Sequence, residues 1–265
     1  MTSHHTTQDS PVSDGPASDG RGRTVAALLW AGHLRLLLIF WAIVVVIFVA
    51  LGVGQAAFGQ LDRSLWEIAG LGAAKYFPFA LAIMITPLNL SVYVAHGVTR
   101  REFFTGAALF AGLLGLVFAV AFTLGFAVEH LAYTAAGLPE GFTGPHLFTS
   151  GGQVHLVLVE AVLTFTAHIA SGWLIGSGYY RFGGWLGTLF LVPALVPALG
   201  TDVLLGTGWF RAVGTAVGLG QLAMPAGIAL SVLLIAAAVA ANQPLTRSVA
   251  IRRGPTTGQT QWIFP

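Results

Sequence analysis

Long apolar segments constrain the fold of this chain more than any other feature of its sequence. Six stretches approach or exceed the roughly 20 apolar residues that a helix needs to cross the hydrocarbon core of a bilayer. They lie at about residues 36–57, 76–95, 105–128, 156–178, 185–206 and 219–241. Apolar residues run continuously through each stretch, whereas the strands of a membrane barrel alternate apolar and polar side chains. The sequence therefore predicts an all-α, polytopic membrane protein with six transmembrane helices.

The chain also carries too little charge for a soluble protein of its length. Of its 265 residues, 8% are charged and 55% are apolar, against about a quarter charged in a typical soluble domain. It has no cysteine, which excludes disulfides, thiol catalysis and cysteine-ligated metals. A formal net charge of +2 gives no reason to expect a nucleic acid as partner. We expect a multi-pass protein of the cell membrane, in contact with lipid.

Basic residues predict the orientation, because they concentrate on alternate connections between the spans. One side of the membrane holds nine of the 12 lysines and arginines: Arg21, Arg23, Arg35, Arg100, Arg101, Arg181, Arg247, Arg252 and Arg253. The other side holds Arg63, Lys75 and Arg211. By the positive-inside rule, both termini are predicted to be cytoplasmic. Five acidic residues fall on or near the opposite, outer face: Asp62, Glu67, Glu129, Glu140 and Asp202.

The polar ends of the chain divide it into three parts. Residues 1–23 are rich in Ser, Thr, Asp, Gly and Pro and are predicted to be a disordered cytoplasmic tail. Residues 24–241 form the predicted six-helix transmembrane domain, and residues 242–265 a second cytoplasmic tail. At the start of the domain, the segment 24–35 fits either an amphipathic helix in the membrane interface or an extension of the first span.

The segment "HGVTRREFF", residues 96–104, gathers three charged side chains between the second and third spans. Gly97 is suited to end the second helix. Thr99, followed three residues later by Glu102, is typical of a capping box at the start of a new helix. We predict a short helix lying along the cytoplasmic surface. The alternative is that its two arginines only fix the topology and contact lipid phosphates.

This segment resembles the coupling helix of the permease subunits of ABC-2 type exporters. The matching positions are Gly97, Thr99, Arg100, Arg101, Glu102 and Phe103. The six spans, the cytoplasmic ends and the chain length are also similar to that family. The resemblance implies that a separate ATP-binding subunit docks on residues 96–104. It also implies a dimer with a second copy or a paralogue, and an exported substrate whose identity the sequence does not indicate.

The same resemblance implies that the second and fifth spans line the translocation path. Both spans contain proline or polar residues at membrane depth, and the candidates for the path are Pro87, Asn89, Ser91, Pro193, Pro197 and Asp202. Prolines interrupt the hydrogen bonding of a helix, and polar groups at this depth usually face protein or a wet cavity. The alternative for each residue is helix packing without substrate contact.

Sequence motifs of enzymes are absent. The chain has no G-x-x-x-x-G-K-[ST] phosphate loop, so we expect ATP hydrolysis in a partner subunit and no cofactor here. The nearest match to the Gly-x-Ser-Gly of rhomboid-type proteases, at 175–178, begins with isoleucine. The histidines have no spacing typical of a metal site, and no metal is expected.

Two alternatives concern the fourth span and the function as a whole. Glu160, Thr164, His168 and Ser171 share one helical face, and this pattern fits a proton relay or a polar seam against neighbouring helices. The function itself has an alternative from another class. That alternative is a six-span membrane protein without transport activity, such as an immunity or assembly factor.

Overall fold

The computed structural model describes residues 17–58, 62–207, 211–218 and 222–249. Every regular element in these residues is a helix. The helices are α1 (Ala17–Phe58), α2 (Leu65–Ala95), α3 (Arg100–Ala136), α4 (Val154–Leu205), α5 (Arg211–Ala216) and α6 (Met224–Arg247). Five of these helices, all except α5, are long and apolar enough to cross a membrane. The prediction of an all-helical fold is confirmed, and the five helices are consistent with a multi-pass membrane protein.

The long helix α4 is interrupted at Gly183, where it folds back on itself. The backbone there has φ 78° and ψ −166°, which glycine adopts readily and other residues do not. Ser171 and Ala198 lie at similar sequence distances on either side of this break, and the N–H of Ala198 donates to Ser171 Oγ at 3.0 Å. The segments 154–182 and 184–205 therefore form an antiparallel hairpin, and they correspond to the predicted fourth and fifth spans.

The two ends of the helix bundle differ in their charged residues. At one end the start of α3 meets the end of α6, where Arg100 Nη1 donates to the carbonyl of Arg247 at 2.7 Å. Arg181, just before the α4 hairpin turn, donates to the carbonyl of Pro244 at 2.9 Å. We call this the basic end. At the opposite, acidic end, α2 begins, α3 ends and the connection 137–153 packs onto them through buried carboxylates.

Both α2 and α3 extend further at the acidic end than the predicted spans 76–95 and 105–128. The predicted boundaries follow hydropathy, which falls at the charged residues Glu67, Lys75 and Glu129. In the structure these three side chains are buried and each is hydrogen-bonded within the protein. Each helix therefore continues past them.

The helix α1 is continuous and includes the segment 24–35, so the extension of the first span is observed and a separate interfacial helix is not. No proline interrupts this segment, and Val25 and Leu29 are buried, with Val25 packed against Gly106 of α3. The helix begins at Ala17, so the last residues of the predicted tail, 17–23, belong to it. Residues 1–16 lie outside the described residues.

The chain's other predicted tail is also partly helical. The helix α6 runs to Arg247, past the predicted span boundary at 241. Leu245 and Thr246 are buried there, which explains why the helix continues. Residues 250–265 lie outside the described part of the chain.

Small residues bring α4 into close contact with α2. Gly172 and Gly176 lie one helical turn apart, and a Cβ atom on either would collide with a backbone carbonyl of α2, that of Phe79 or Ile83. Spacing of this kind permits close backbone approach between membrane helices, where lipid provides no hydrophobic driving force for association. The two glycines therefore permit the close contact between α2 and α4, and this contact positions the cavity described below.

Aromatic side chains pack α1, α2 and α3 together. The rings of Phe40 and Phe77 stack with centroids 4.2 Å apart. The indole of Trp66 donates to the carbonyl of Phe122 at 2.9 Å, so its polar atom has a partner although the side chain is buried. This cluster fixes the start of α2 against α3 near the acidic end.

Candidate functional site

The connection between α2 and α3, at the basic end, contains the predicted caps. Gly97 has φ 83° and follows the end of α2. The Thr99 hydroxyl accepts the N–H of Glu102 at 3.2 Å, and the Glu102 carboxylate accepts the N–H of Thr99 at 2.8 Å. The capping box predicted from the sequence is present.

The helix that this capping box starts is α3 itself. The prediction of a short separate helix along the surface is wrong, because α3 runs without interruption from Arg100 to Ala136 and no breaker lies between Glu102 and the apolar residues that follow. Phe103 is 0% exposed and Glu102 is 6% exposed. These two predicted partner-binding side chains therefore face the protein interior, whereas Arg101 is exposed.

A cleft opens beside this helix start. Its volume is about 400 Å³, and its lining residues come from α3 and α6: Arg100, Arg101, Phe104, Gln243, Thr246 and Arg247. Three of the six are arginines, so the cleft is strongly basic. Arg21 of α1 lies 3.6 Å from the Glu102 carboxylate, so the start of α1 lies at the same end.

A second cavity lies at the acidic end, between α2, α3, both halves of α4 and the connection 137–153. Its volume is about 430 Å³, within the range of about 300–1,000 Å³ typical of small-molecule sites. Its charged or ionisable lining residues are Glu67, Lys75, His146, Glu160, His168 and Asp202. Its aromatic lining residues are Tyr76, Phe79, Phe122, Phe148 and Phe165. We call it the acidic-end cavity.

An ion pair between α2 and the second half of α4 lies in its wall. Lys75 Nζ is 2.7 Å from Asp202 Oδ2, and the two residues are 7% and 3% exposed. The ring of His168 lies next to this pair, with Nε2 4.0 Å from the same carboxylate oxygen. Its Nδ1 is 2.7 Å from the carbonyl of Thr164 and donates to it, because a carbonyl only accepts. A buried pair of this kind is costly to break, since either charge left alone is poorly solvated.

A second charged group joins the connection 137–153 to the helices. His146 Nδ1 lies 2.7 Å from Glu160 and His146 Nε2 lies 3.2 Å from Glu67. The same carboxylates accept backbone N–H groups of the connection, from Leu147 at 2.6 Å and Thr143 at 2.6 Å. Burial of the ring opposes protonation, but hydrogen bonds to the two carboxylates outweigh it and raise the pKa of His146 to about 9. His146 is therefore a cation at neutral pH and donates from both ring nitrogens.

The formal charges of the cavity lining sum to one negative charge when its three carboxylates are ionised and His168 is neutral. The carboxylates are those of Glu67, Glu160 and Asp202, and the two cations are Lys75 and protonated His146. The site is therefore suited to a positive group and unfavourable to an anion.

The polar residues of the fourth span are divided between these contacts. Glu160 pairs with His146, His168 lies beside Asp202, and Ser171 accepts an N–H from the second half of α4. Glu160 therefore contacts the connection 137–153, whereas His168 and Ser171 both contact the second half of α4, as the side chains of a polar seam do. The structure gives no direct bond between Glu160 and His168 among the described contacts.

The predicted path residues of α2 lie away from the acidic-end cavity. Pro87, Asn89 and Ser91 belong to the last third of α2, towards the basic end. The side-chain amide of Asn89 donates to the carbonyl of Ile85 in its own helix at 2.9 Å. This hydrogen bond satisfies a donor of the amide within the helix. None of the three is among the residues that line the described cavity.

The predicted path residues of the second half of α4 differ among themselves. Pro193 is exposed and Pro197 is buried, and neither lines the acidic-end cavity. Asp202 does line it, and it forms the ion pair with Lys75. Of the six predicted path residues, the structure therefore brings one into a cavity.

Sequence analysis missed Glu67, Lys75 and His146 as site residues. The signal that could have found Lys75 is its position as the single lysine of the chain, beside an apolar stretch, where an ionisable residue is by default a functional candidate. Nothing in the sequence indicates which acid it pairs with, because its partner Asp202 is 127 positions away.

Comparisons of the chain with protein-family models, with curated proteins and with solved structures found no match. The basic cleft and the acidic-end cavity are therefore the two candidate sites in the described residues.

Proposed function

We propose that this chain is the membrane-spanning permease subunit of an ABC-2 type exporter in the cell membrane. A separate ATP-binding subunit docks at the basic end, and a second copy or a paralogue completes the dimer. In this proposal the hairpin of α4 supplies two spans, so that six helices cross the bilayer. Both termini and the basic end are then cytoplasmic, in agreement with the positive-inside rule.

The observation that supports this proposal best is the basic cleft beside the capped start of α3. Its arginines can donate charge-assisted hydrogen bonds to acidic or carbonyl groups of a partner. The capping box and the fully buried Phe103 hold the first turn of α3 in place. A movement of the partner against the cleft would then displace α3 and α6 as rigid elements, which is how ATP binding in one subunit can switch the arrangement of another.

The exposed apolar surface supports the membrane part of the proposal. On α1, large apolar side chains such as Leu38, Ile43 and Val46 are 62%, 53% and 66% exposed. On α4, Val192 is 75% exposed. In water such a surface would be unfavourable, whereas lipid or a second membrane subunit covers it without cost.

The test is co-purification of an ATPase with the full chain from native membranes in mild detergent. The unaltered chain should retain a protein with Walker A and B motifs in roughly equal amount. The double variant Arg100→Ala, Arg101→Ala should insert normally but bind this partner at least about tenfold more weakly, which corresponds to about 1.4 kcal/mol. The matched control is Arg23→Ala, which removes an exposed positive charge from α1 outside the cleft and should retain the partner.

Two results would contradict the proposal. One is the absence of any ATPase from the purified complex of the unaltered chain. The other is equal recovery of the ATPase with the double variant and with Arg23→Ala, which would leave the arginines as topology signals only. Recovery of a partner without Walker motifs would instead favour an immunity or assembly factor.

A further inference from the structure

We propose that the acidic-end cavity is a binding site for an amphipathic organic cation that carries at least one N–H group. The inference concerns binding alone and goes beyond the proposed function. It holds for an exporter and equally for a membrane protein of another class, and its test requires no ATPase and no transport.

Unpartnered polar atoms in the wall of the cavity are the first observation. Asp202 Oδ1, Thr164 Oγ1 and Thr207 Oγ1 are buried and have no hydrogen-bond partner within the described part of the chain. Their residues are 3%, 5% and 5% exposed, respectively, and all three line the cavity. Buried polar groups are normally paired, because leaving them unpaired costs free energy. A ligand with hydrogen-bond donors would satisfy the carboxylate oxygen, and the two hydroxyls can donate or accept.

Charge determines which kind of ligand fits. The cavity lining has one more carboxylate than it has cations, and Asp202 uses only Oδ2 for its bond with Lys75. Oδ1 can therefore accept a charge-assisted hydrogen bond from an ammonium group. A quaternary ammonium has no N–H to donate, so it would satisfy the charge but not the oxygen.

The walls determine the rest of the ligand. Aromatic rings from four elements line the same space: Tyr76 and Phe79 of α2, Phe122 of α3, Phe165 of α4, and Phe148 of the connection 137–153. Such rings favour an apolar body and attract a cation at their faces. Lys75 Nζ already lies 5.8 Å from the centre of the Tyr76 ring. A volume of about 430 Å³ accommodates a small organic molecule with an aromatic or aliphatic body.

An inorganic cation fits this lining less well. The described residues contain no group of three or more His, Asp or Glu side chains placed to hold a metal ion. Both nitrogens of His146 are already bonded to carboxylates. The mixture of one available carboxylate oxygen, two hydroxyls and several aromatic rings is suited to an organic amine instead.

The first experiment compares three ligands that share one body. The full chain is purified into lipid nanodiscs, and binding is followed by isothermal titration with 4-phenylbutylamine, 4-phenylbutyltrimethylammonium and 4-phenylbutyrate. We expect saturable binding of one amine per chain, at least about tenfold weaker binding of the trimethylammonium compound, and no saturable binding of the anion. Equal binding of all three, or only unsaturable partition into lipid, would overturn the proposal.

The second experiment uses threonine variants that keep the side-chain shape. Thr164→Val and Thr207→Val each remove an unpartnered buried hydroxyl, so neither should lower the thermal stability of the free protein. Each should weaken binding of 4-phenylbutylamine by about threefold to tenfold. The matched control is Thr201→Val, since the Thr201 hydroxyl is also buried without a described partner but lies outside the cavity lining.

The control separates a ligand site from a general effect of these substitutions. Thr201→Val should leave the affinity for the amine unchanged. If the cavity variants bind as tightly as the unaltered chain, or if Thr201→Val weakens binding as much as they do, the proposal is wrong. Asp202→Asn should weaken binding of 4-phenylbutylamine by at least about tenfold, and it should weaken binding of the trimethylammonium compound as well, because both ligands depend on the carboxylate charge.

Discussion

Raising the pH should loosen the connection 137–153, because His146 bonds two carboxylates at once only while it is protonated. One ring nitrogen lies 2.7 Å from Glu160 and the other 3.2 Å from Glu67. Both nitrogens donate in the protonated ring, whereas the neutral ring can donate from one alone. The His146 side chain is 3% exposed, so solvent compensates little for the lost bond.

The size and the pH range of this effect follow from the pKa of His146. Its ordinary value is 6.5, and its hydrogen bonds to Glu160 and Glu67 outweigh burial and raise it to about 9 in the folded protein. A group whose folded pKa is raised contributes stability that is fully present below pH 6.5. This stability decreases above that pH and is lost as the pH rises through about 9. At about 1.4 kcal/mol per pH unit, the contribution amounts to about 3 kcal/mol.

The assay compares the unaltered chain with His146→Gln in nanodiscs at about pH 6 and about pH 10. At the lower pH the variant should be less stable by about 3 kcal/mol, and its amides in 137–153 should exchange hydrogen faster. At the higher pH the two proteins should differ little, because the unaltered His146 is then neutral. The control His155→Gln changes an exposed histidine and should have no effect at either pH. An equal difference between the unaltered chain and His146→Gln at both pH values would refute the argument.

Three further predictions concern the packing of the helices. Gly176→Ala should lower the free energy of unfolding by about 1–3 kcal/mol, because its Cβ would collide with a backbone carbonyl of α2. Gly112→Ala, in open space on α3, should not lower it. Equal effects of the two substitutions would contradict this prediction. Glu129→Ala should lower the free energy of unfolding by at least about 2 kcal/mol and speed hydrogen exchange at the start of α2. Its Oε1 accepts two backbone N–H groups there, at 2.7 and 2.9 Å, and alanine has no such acceptor. Lys75→Met and Asp202→Asn should each lower the free energy of unfolding by about 3–5 kcal/mol. In a double-mutant cycle, the double variant should lose clearly less than the sum of the two single losses. Additive losses would show that the ion pair contributes nothing as a pair.

The parts of the fold that sequence analysis predicted correctly depend on local patterns. Continuous apolar runs are enough to predict membrane-length helices, because a bilayer requires about 20 such residues wherever they lie. The capping box of Thr99 and Glu102 was likewise predictable, since its two partners are three positions apart. The surface helix predicted from the same residues is wrong, because the end of a helix requires a breaker and the sequence provides none before α3 enters the apolar run.

The parts that sequence analysis missed depend on contacts between distant residues. Hydropathy ended the predicted spans at Lys75 and Glu129, because it cannot show that a buried charged group will find partners. In the structure Glu129 accepts the N–H of Leu65, 64 positions away. Asp202 was a candidate from its depth in the fifth span, but its partner Lys75 belongs to another helix. The acidic-end cavity was therefore not predictable from spacing along the chain.

The ion pair between Lys75 and Asp202 connects the two proposals physically. The small residues of the first half of α4 hold that half firmly against α2, whereas Lys75 bonds α2 to the second half. A ligand ammonium at Asp202 Oδ1 shares the negative charge of that carboxylate with Lys75, and at low dielectric such sharing weakens the original pair appreciably. Binding of a cation would therefore loosen the contact of α2 with the second half of α4 while leaving its contact with the first half intact. A rearrangement at the basic end would then open the hairpin of α4 more easily when the cavity is occupied. Because Arg181 bonds this hairpin to α6, ligand binding and partner docking would be coupled through α4 and α6.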